Sequence, residues 1–271
     1  MTSSTAPLWI EQASLSEEAI GAYLESARLI GRRTAELHLA LASAPDNPAF
    51  APEPFTPFYQ RSLLQSMRVQ HRTAYGLLRH QLSSLPELER GLAEETLALE
   101  GEVSDRLHSV LSTRISATRI RCHGDYHLGQ VLFTGSDFVI IDFEGEPARP
   151  LSERRVKRSP LRDVAGMVRS FHYAAHAALR QIEAGGDQYA LESWADFWQQ
   201  RTNAAFLAAY FEAAEPGGFL PPDLDSRSAL LDVYLLDKAL YELTYELNNR
   251  PDWVGLPLTG ILHLMEHGRD G

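Results

Sequence analysis

Asp125, Gln130 and Asp142 are residues whose types and spacing suit chemistry. They lie within residues 119–144, where His-Gly-Asp-Tyr-His-Leu-Gly-Gln leads into two apolar runs. Val131–Phe133 is the first run and Phe138–Ile141 the second, with Thr134-Gly135-Ser136-Asp137 as turn chemistry between them. The spacing predicts a tight hairpin with Gln130 just before its first strand and Asp142 just after its second. Antiparallel pairing then brings an amide and a carboxylate together, beside the loop that carries Asp125. Phosphoryl transfer needs such a set. One carboxylate orients the attacking hydroxyl and accepts its proton, and further oxygen donors hold Mg²⁺, a hard cation that usually takes one or two protein carboxylates.

Other readings compete at each position. Asp125 alone is equally an ordinary turn residue. His123 and His127 with Asp125 invite a zinc site, but zinc histidines four apart normally share a helix, and Gly124 and Gly129 break one here. Protein kinases place an Asp, an Asn five residues later, and Asp-Phe-Gly after a hairpin. The same order and five-residue step occur here, with Gln130 for Asn and Asp142-Phe143-Glu144 for the last element.

His-Gly-Asp-x-His-x-Gly-Gln followed by Ile-Asp-Phe-Glu-Gly-Glu-Pro resembles the aminoglycoside-phosphotransferase-like kinases. Arg155–Ala175 and Tyr241–Trp253 narrow the likeness to the bacterial maltokinases, often fused to trehalose synthase. The resemblance covers roughly residues 15–265. It implies ATP and Mg²⁺ as cofactors and maltose as acceptor, giving maltose 1-phosphate. It makes Asp125 the catalytic base, Gln130 and Asp142 the metal ligands, and His123 and buried Asp163 supports of the catalytic loop. Asp163 is otherwise a helix first-turn residue that complements the helix dipole. His127 and Glu144, the latter through water, join Tyr245, Glu246 and Arg250 as substrate-binding residues. Without the resemblance, Glu242 and Glu246 are a pair four residues apart on a helix that ends in solvated charges. A di-metal bundle would need Glu-x-x-His, which is absent.

Composition limits the alternatives. The net charge of −11 over 271 residues argues against nucleic acid held through its phosphates. The single cysteine, Cys122, excludes an internal disulfide framework and reads as a small buried filler. No run of eighteen apolar residues offers a membrane span, and Met1–Pro7 lacks signal-peptide character, so a soluble cytoplasmic protein is expected.

The positioning elements follow from periodicity. Ser14 and Glu17 suggest a capping box opening a helix to about Ala44, with Arg32-Arg33 on a solvated face. Five prolines between Pro45 and Pro57 predict an irregular connection. Helices follow over about 58–83 and from Pro86, the latter open to a bend or split at Gly91 or Gly101. His71 and His80 are read as structural or exposed. Arg149–Arg158 reads as a basic loop, either solvated or facing the transferring phosphoryl group. Three further helices are expected from Ser159-Pro160 to Gly185-Gly186, over about 188–214 with an aromatic face, and over about 226–249; a short one over about 258–267 ends the chain.

The expected fold is mainly α, a kinase-like C-terminal helical lobe with a small β-hairpin insert. Its parts are helical 1–117, a catalytic hairpin 118–146 and helical 147–271. The N-terminal nucleotide-binding cap is expected to be absent. No Gly-x-Gly-x-x-Gly occurs, and the only lysines are Lys157 and Lys238. Two alternatives stay open: an incomplete lobe that binds maltose, a separate N-terminal lobe or trehalose synthase without turnover, and a phosphotransferase for an aminoglycoside, choline or another small alcohol.

Overall fold

The computed structural model describes residues 8–112, 114–145, 150–180 and 188–267. At 8–19, 188, 189 and 267 it describes the backbone alone. In chain order the elements are α1 (Leu8–Ala42), β1 (Glu53–Pro54), α2 (Pro57–Gln81), α3 (Glu87–Ala98), α4 (Glu100–His108), β2 (Thr118–Arg119), β3 (Val131–Phe133), β4 (Phe138–Ile140), α5 (Leu151–Arg154), α6 (Leu161–Leu179), α7 (Gln188–Ala214), α8 (Leu224–Asn249) and α9 (Gly255–His267). The fold is mostly helical, with two small sheets.

Helical periodicity fixes the buried faces. On α2, Leu63, Met67, Ala74 and Leu78 are all buried, and Thr56 caps its start by accepting the Tyr59 amide. On α6, Val164, Met167, Val168 and Phe171 are buried between α7 and α8. The long helix α1 lies along α7. Gly31 sets how close they come, because a methyl there would stand 2.4 Å from the Phe206 carbonyl oxygen. Phe171, Phe206, Tyr210 and Phe219 fill the core around that contact.

Several elements depart from the sequence reading. The first helix starts at Leu8, so Ser14 lies inside it rather than at its cap. Residues 1–117 are not wholly helical. The proline-rich connection contains β1, whose Glu53 and Pro54 pair antiparallel with Arg119 and Thr118. Proline is tolerated there because a two-residue edge strand leaves its missing donor unneeded. Helices α3 and α4 divide at Leu99 rather than at either glycine. Arg33 is not merely solvated: it grips both oxygens of Asp137 in the β3–β4 turn at 2.8 Å each. The basic loop contains α5, and its Arg158 exchanges two 2.9 Å backbone bonds with Ile120. Lys157 is buried, donating to Glu53 Oε1 and the Pro48 carbonyl. Arg149 and the Gly185-Gly186 helix end lie outside the described residues.

The close approach of α1 and α7 generates a paired test. Gly31→Ala should lower the thermal midpoint, since overpacking against backbone costs about 1–3 kcal/mol. Gly21→Ala on the same helix meets nothing within 4 Å and should raise it, by roughly 1 kcal/mol of helix propensity. Calorimetry of both variants checks the pair; equal effects would mean that the approach at Gly31 is not limiting.

Candidate active site

The site is built on the loop between β2 and β3, and α6 holds that loop from below. Asp163, buried in the first turn of α6, accepts the His123 amide at 2.7 Å on Oδ2 and the Gly124 amide at 3.0 Å on Oδ1. His38 of α1 reaches Oδ2 with Nε2 at 3.2 Å, and the Tyr210 hydroxyl of α7 lies 2.9 Å from its Nδ1. Burial pushes the Asp163 carboxyl pKa up, but the hydrogen bonds from His38 and the Gly124 amide outweigh it and hold the group below the usual range. Asp163 therefore sits beneath the loop as a carboxylate.

His123 joins the loop to the hairpin. Its Nε2 donates to the Ile141 carbonyl at 2.7 Å, since a carbonyl only accepts. Its Nδ1 then faces the Asp125 amide at 3.4 Å. Tyr126, next in the loop, is buried, with its hydroxyl 2.8 Å from Thr34 of α1. Gly166 lets α6 approach the loop backbone, because a methyl there would stand 2.5 Å from the Tyr126 carbonyl oxygen. Ser170, one turn on, accepts the Leu128 amide at 2.9 Å.

The hairpin pairs Val131 with Ile140 and Phe133 with Phe138, and the Ile141 amide donates to the Gln130 carbonyl at 2.9 Å. That register sets Gln130 and Asp142 side by side, with Gln130 Nε2 donating to Asp142 Oδ2 at 3.0 Å. Asp142 has φ 62°, the one left-handed residue other than glycine among the described residues. Aspartate tolerates that region better than most. The His127 ring lies 3.4 Å from Gln130 Nε2, and the charges of Asp125 and Asp142 both act on it. Burial lowers the His127 pKa, partly opposed by Asp125. Its Nδ1 accepts the Gly129 amide at 3.1 Å. Cys122 is tucked against the Ile120, Arg158 and Ser159 carbonyls, and burial raises its thiol pKa.

Asp125 and His127 open onto a cleft of about 560 Å³ between α6 and α8, whose far wall is Tyr241, Tyr245, Glu246 and Arg250. Glu242 and Glu246 are buried, contrary to the reading of a solvated helix end. Arg250 grips both Glu246 oxygens at 2.9 and 2.6 Å, and Tyr173 adds a hydroxyl at 3.3 Å. Arg169 places two nitrogens on Glu242 Oε2 at 2.9 and 2.7 Å. Glu242 Oε1 takes no hydrogen bond from the described residues. Each glutamate is thus held by an arginine, an arrangement that suits recognition of a hydroxyl-bearing ligand. Glu144 is exposed and lies outside the cleft lining.

Arg169, Tyr173, Ser170, Lys238 and His38 escape sequence reasoning. Gly166 inside an apolar helix was a usable signal of close packing, as was Lys238, one turn before Glu242.

Residues 9–198, well over half of the chain, match the profile of the phosphotransferase enzyme family, APH. A glucosamine kinase of Mycolicibacterium smegmatis (strain ATCC 700084 / mc(2)155) is 28% identical over 264 residues, covering 96% of this chain and 58% of its own length. One from Streptacidiphilus jiangxiensis is 25% identical over 244 residues, covering 90% and 50%. The chain therefore spans about half the length of these curated relatives. In structure it is similar to a glucosamine kinase in complex with glucosamine, ADP and inorganic phosphate, at TM-score 0.72 and 21% identity, over 91% of this chain and 53% of that one. Crystal form A of a glucosamine kinase gives TM-score 0.73 at 21% identity, over 96% and 58%. Among the described residues no helix is long and apolar enough to cross a membrane. The fold is kinase-like, and the chain belongs to the phosphotransferase enzyme family.

Proposed function

We propose that this chain is the catalytic and acceptor-binding part of an ATP-dependent sugar kinase. The observation that carries the reading is the position of Asp125, in the lining of a cleft with His127, whose ring in turn lies 3.4 Å from Gln130 of the Gln130–Asp142 pair. A sugar in the cleft presents a hydroxyl to Asp125, which orients it and accepts its proton. The hydroxyl oxygen bonds to the γ-phosphorus of ATP, the bond to the β-phosphate oxygen breaks, and ADP leaves. His123 and Asp163 act as positioning residues by fixing the loop that carries Asp125.

Gln130 and Asp142 fit Mg²⁺. Their mutual bond spends the amide nitrogen, and Gln130 Oε1 and Asp142 Oδ1 take no hydrogen bond from the described residues. Both are the hard donors that this ion prefers. When bound, Mg²⁺ neutralises phosphate charge as the group transfers.

A nucleotide-covering segment is needed besides these residues. Lys157 is buried on Glu53, and Lys238 lies over the Tyr241 ring in the acceptor cleft. Neither is placed for the phosphate-pairing role that kinases give a strand lysine. Leu132, Phe133, Val139 and Phe143 are exposed on and beside the hairpin, an apolar surface suited to such a segment, whether a kinase N-terminal lobe or part of a fused enzyme.

For the acceptor, the relatives' names favour glucosamine, and the open Oε1 of Glu242 suits an ammonium group. The likeness of Tyr241–Trp253 to maltokinases favours maltose as the second reading. An aminoglycoside or choline acceptor has no comparable support.

Two outcomes are expected. With Mg-ATP, glucosamine and a supplied kinase N-terminal lobe, phosphorus NMR should show a sugar phosphate. Asp125→Asn should slow its formation by roughly 10²–10⁴-fold, the usual worth of a general base, without changing the melting curve. Full activity in that variant would remove Asp125 from its role. The second concerns selectivity. Glucosamine should exceed glucose in kcat/KM by about tenfold or more, the worth of a charge-assisted hydrogen bond. A faster rate with maltose would move the assignment to the disaccharide. Sugar binding by a folded chain with no transfer under any of these conditions would make it a binding module.

A further inference from the structure

The His127 ring lines the acceptor cleft with Asp125, and its Nε2 lies 3.4 Å from Gln130 Nε2. Its orientation is fixed locally. Nδ1 accepts the Gly129 amide at 3.1 Å, and a methyl on Gly129 would stand 2.9 Å from that nitrogen, so a glycine there lets the ring seat on its own loop. A neutral imidazole has one donor and one acceptor nitrogen. With Nδ1 occupied as the acceptor, the proton is on Nε2. That N–H faces an amide nitrogen, which is itself a donor.

The same amide nitrogen also donates to Asp142 Oδ2 at 3.0 Å. The oxygen and nitrogen ends of an amide are alike in shape, so its neighbours decide which way it faces. With the nitrogen in place, Asp142 is satisfied and two donors meet at His127. With the amide turned over, His127 Nε2 donates to Gln130 Oε1, but Oε1 and Asp142 Oδ2 become two acceptors at the same close separation. Neither arrangement satisfies all three side chains. A divalent cation removes the conflict, because it takes both oxygens. Neighbouring oxygens around an octahedral Mg²⁺, at bonds of about 2.1 Å, are themselves about 3 Å apart. We propose that His127 is a positioning residue for the metal: its Nε2–H turns the Gln130 amide so that Oε1 adjoins Asp142, and a divalent cation completes the set.

This proposal rests on the reading of Gln130 and Asp142 as metal ligands, and adds the device that orients one of them. It gives His127 a role other than the substrate contact that the family likeness implies. It also bears on the glutamine that stands where kinases have asparagine. A glutamine amide hangs on one more rotatable bond, so fixing it costs more side-chain freedom, and a dedicated partner offsets that cost.

The test has two readouts, neither of them activity. Nitrogen-15 NMR of the folded wild-type chain should show the His127 ring with its proton on Nε2. A proton on Nδ1 overturns the proposal, and this measurement needs no variant. Mn²⁺, which shares the preference for oxygen ligands, is then titrated into the chain, with the free ion counted by electron paramagnetic resonance. The wild type should bind it saturably, and Asp142→Asn should not. His127→Phe keeps a ring without the donor, and Gly129→Ala keeps the histidine but displaces it. Each should weaken Mn²⁺ binding about tenfold or more, the usual worth of an outer partner of a metal ligand. Melting curves check that the variants are folded. Equal Mn²⁺ affinity in folded His127→Phe would overturn the proposal and leave the metal reading standing. No saturable binding in the wild type, or none lost in Asp142→Asn, would remove the metal reading and the proposal with it.

Discussion

One buried carboxylate organises this structure. Asp163 takes two consecutive backbone amides from the loop that carries Asp125, and a histidine from the longest helix shares one of its oxygens. A loop rich in glycine and charge has little apolar surface with which to hold itself. Its geometry must be imposed from outside, through hydrogen bonds that water cannot replace. Leaving a buried donor or acceptor without its partner costs about 1–3 kcal/mol, and more for a charged group. The arrangement is therefore both a stability element and the frame on which Asp125 stands. The close approach at Gly166 has the same purpose from the backbone side: α6 comes near enough to fix the loop because no side chain separates them.

The acceptor cleft is framed by a different device. Its wall is a row of carboxylates on α8, spaced one turn apart and each matched to an arginine from a different place. Arg250 comes from the end of the same helix, and Arg169 from α6. Paired in this way, Glu242 and Glu246 are held in a buried setting and present fixed oxygens to the cleft. A rigid array of that kind suits ligands carrying many hydroxyls, whose recognition depends on donor and acceptor positions more than on apolar area.

Much of this could be read from local sequence. Two apolar runs flanking Thr-Gly-Ser-Asp specified the hairpin, and with it the apposition of Gln130 and Asp142, because a tight turn leaves only one register. Helical period specified most helices, since each buries a continuous apolar stripe. What escaped was whatever depends on a partner far along the chain. Arg33 looked like a solvated charge because Asp137 is 104 residues away. Glu242 and Glu246 looked like an exposed helix end because a local window does not show α6 and Tyr173 packing over them. The β1–β2 pairing was hidden by its prolines, which argue against a central strand but not against a two-residue edge.

The hairpin is fastened at two points of different kinds. At its base the His123 ring hydrogen-bonds the Ile141 carbonyl in a largely dry setting, while at its tip Arg33 and Asp137 meet half in solvent. Dissolved salt screens the second and hardly touches the first. Rising ionic strength would therefore free the turn while leaving the spacing of Gln130 and Asp142 unchanged. The fastening beside the metal-type oxygens is a bond that salt does not reach, and the fastening at the far end is where ionic strength is felt.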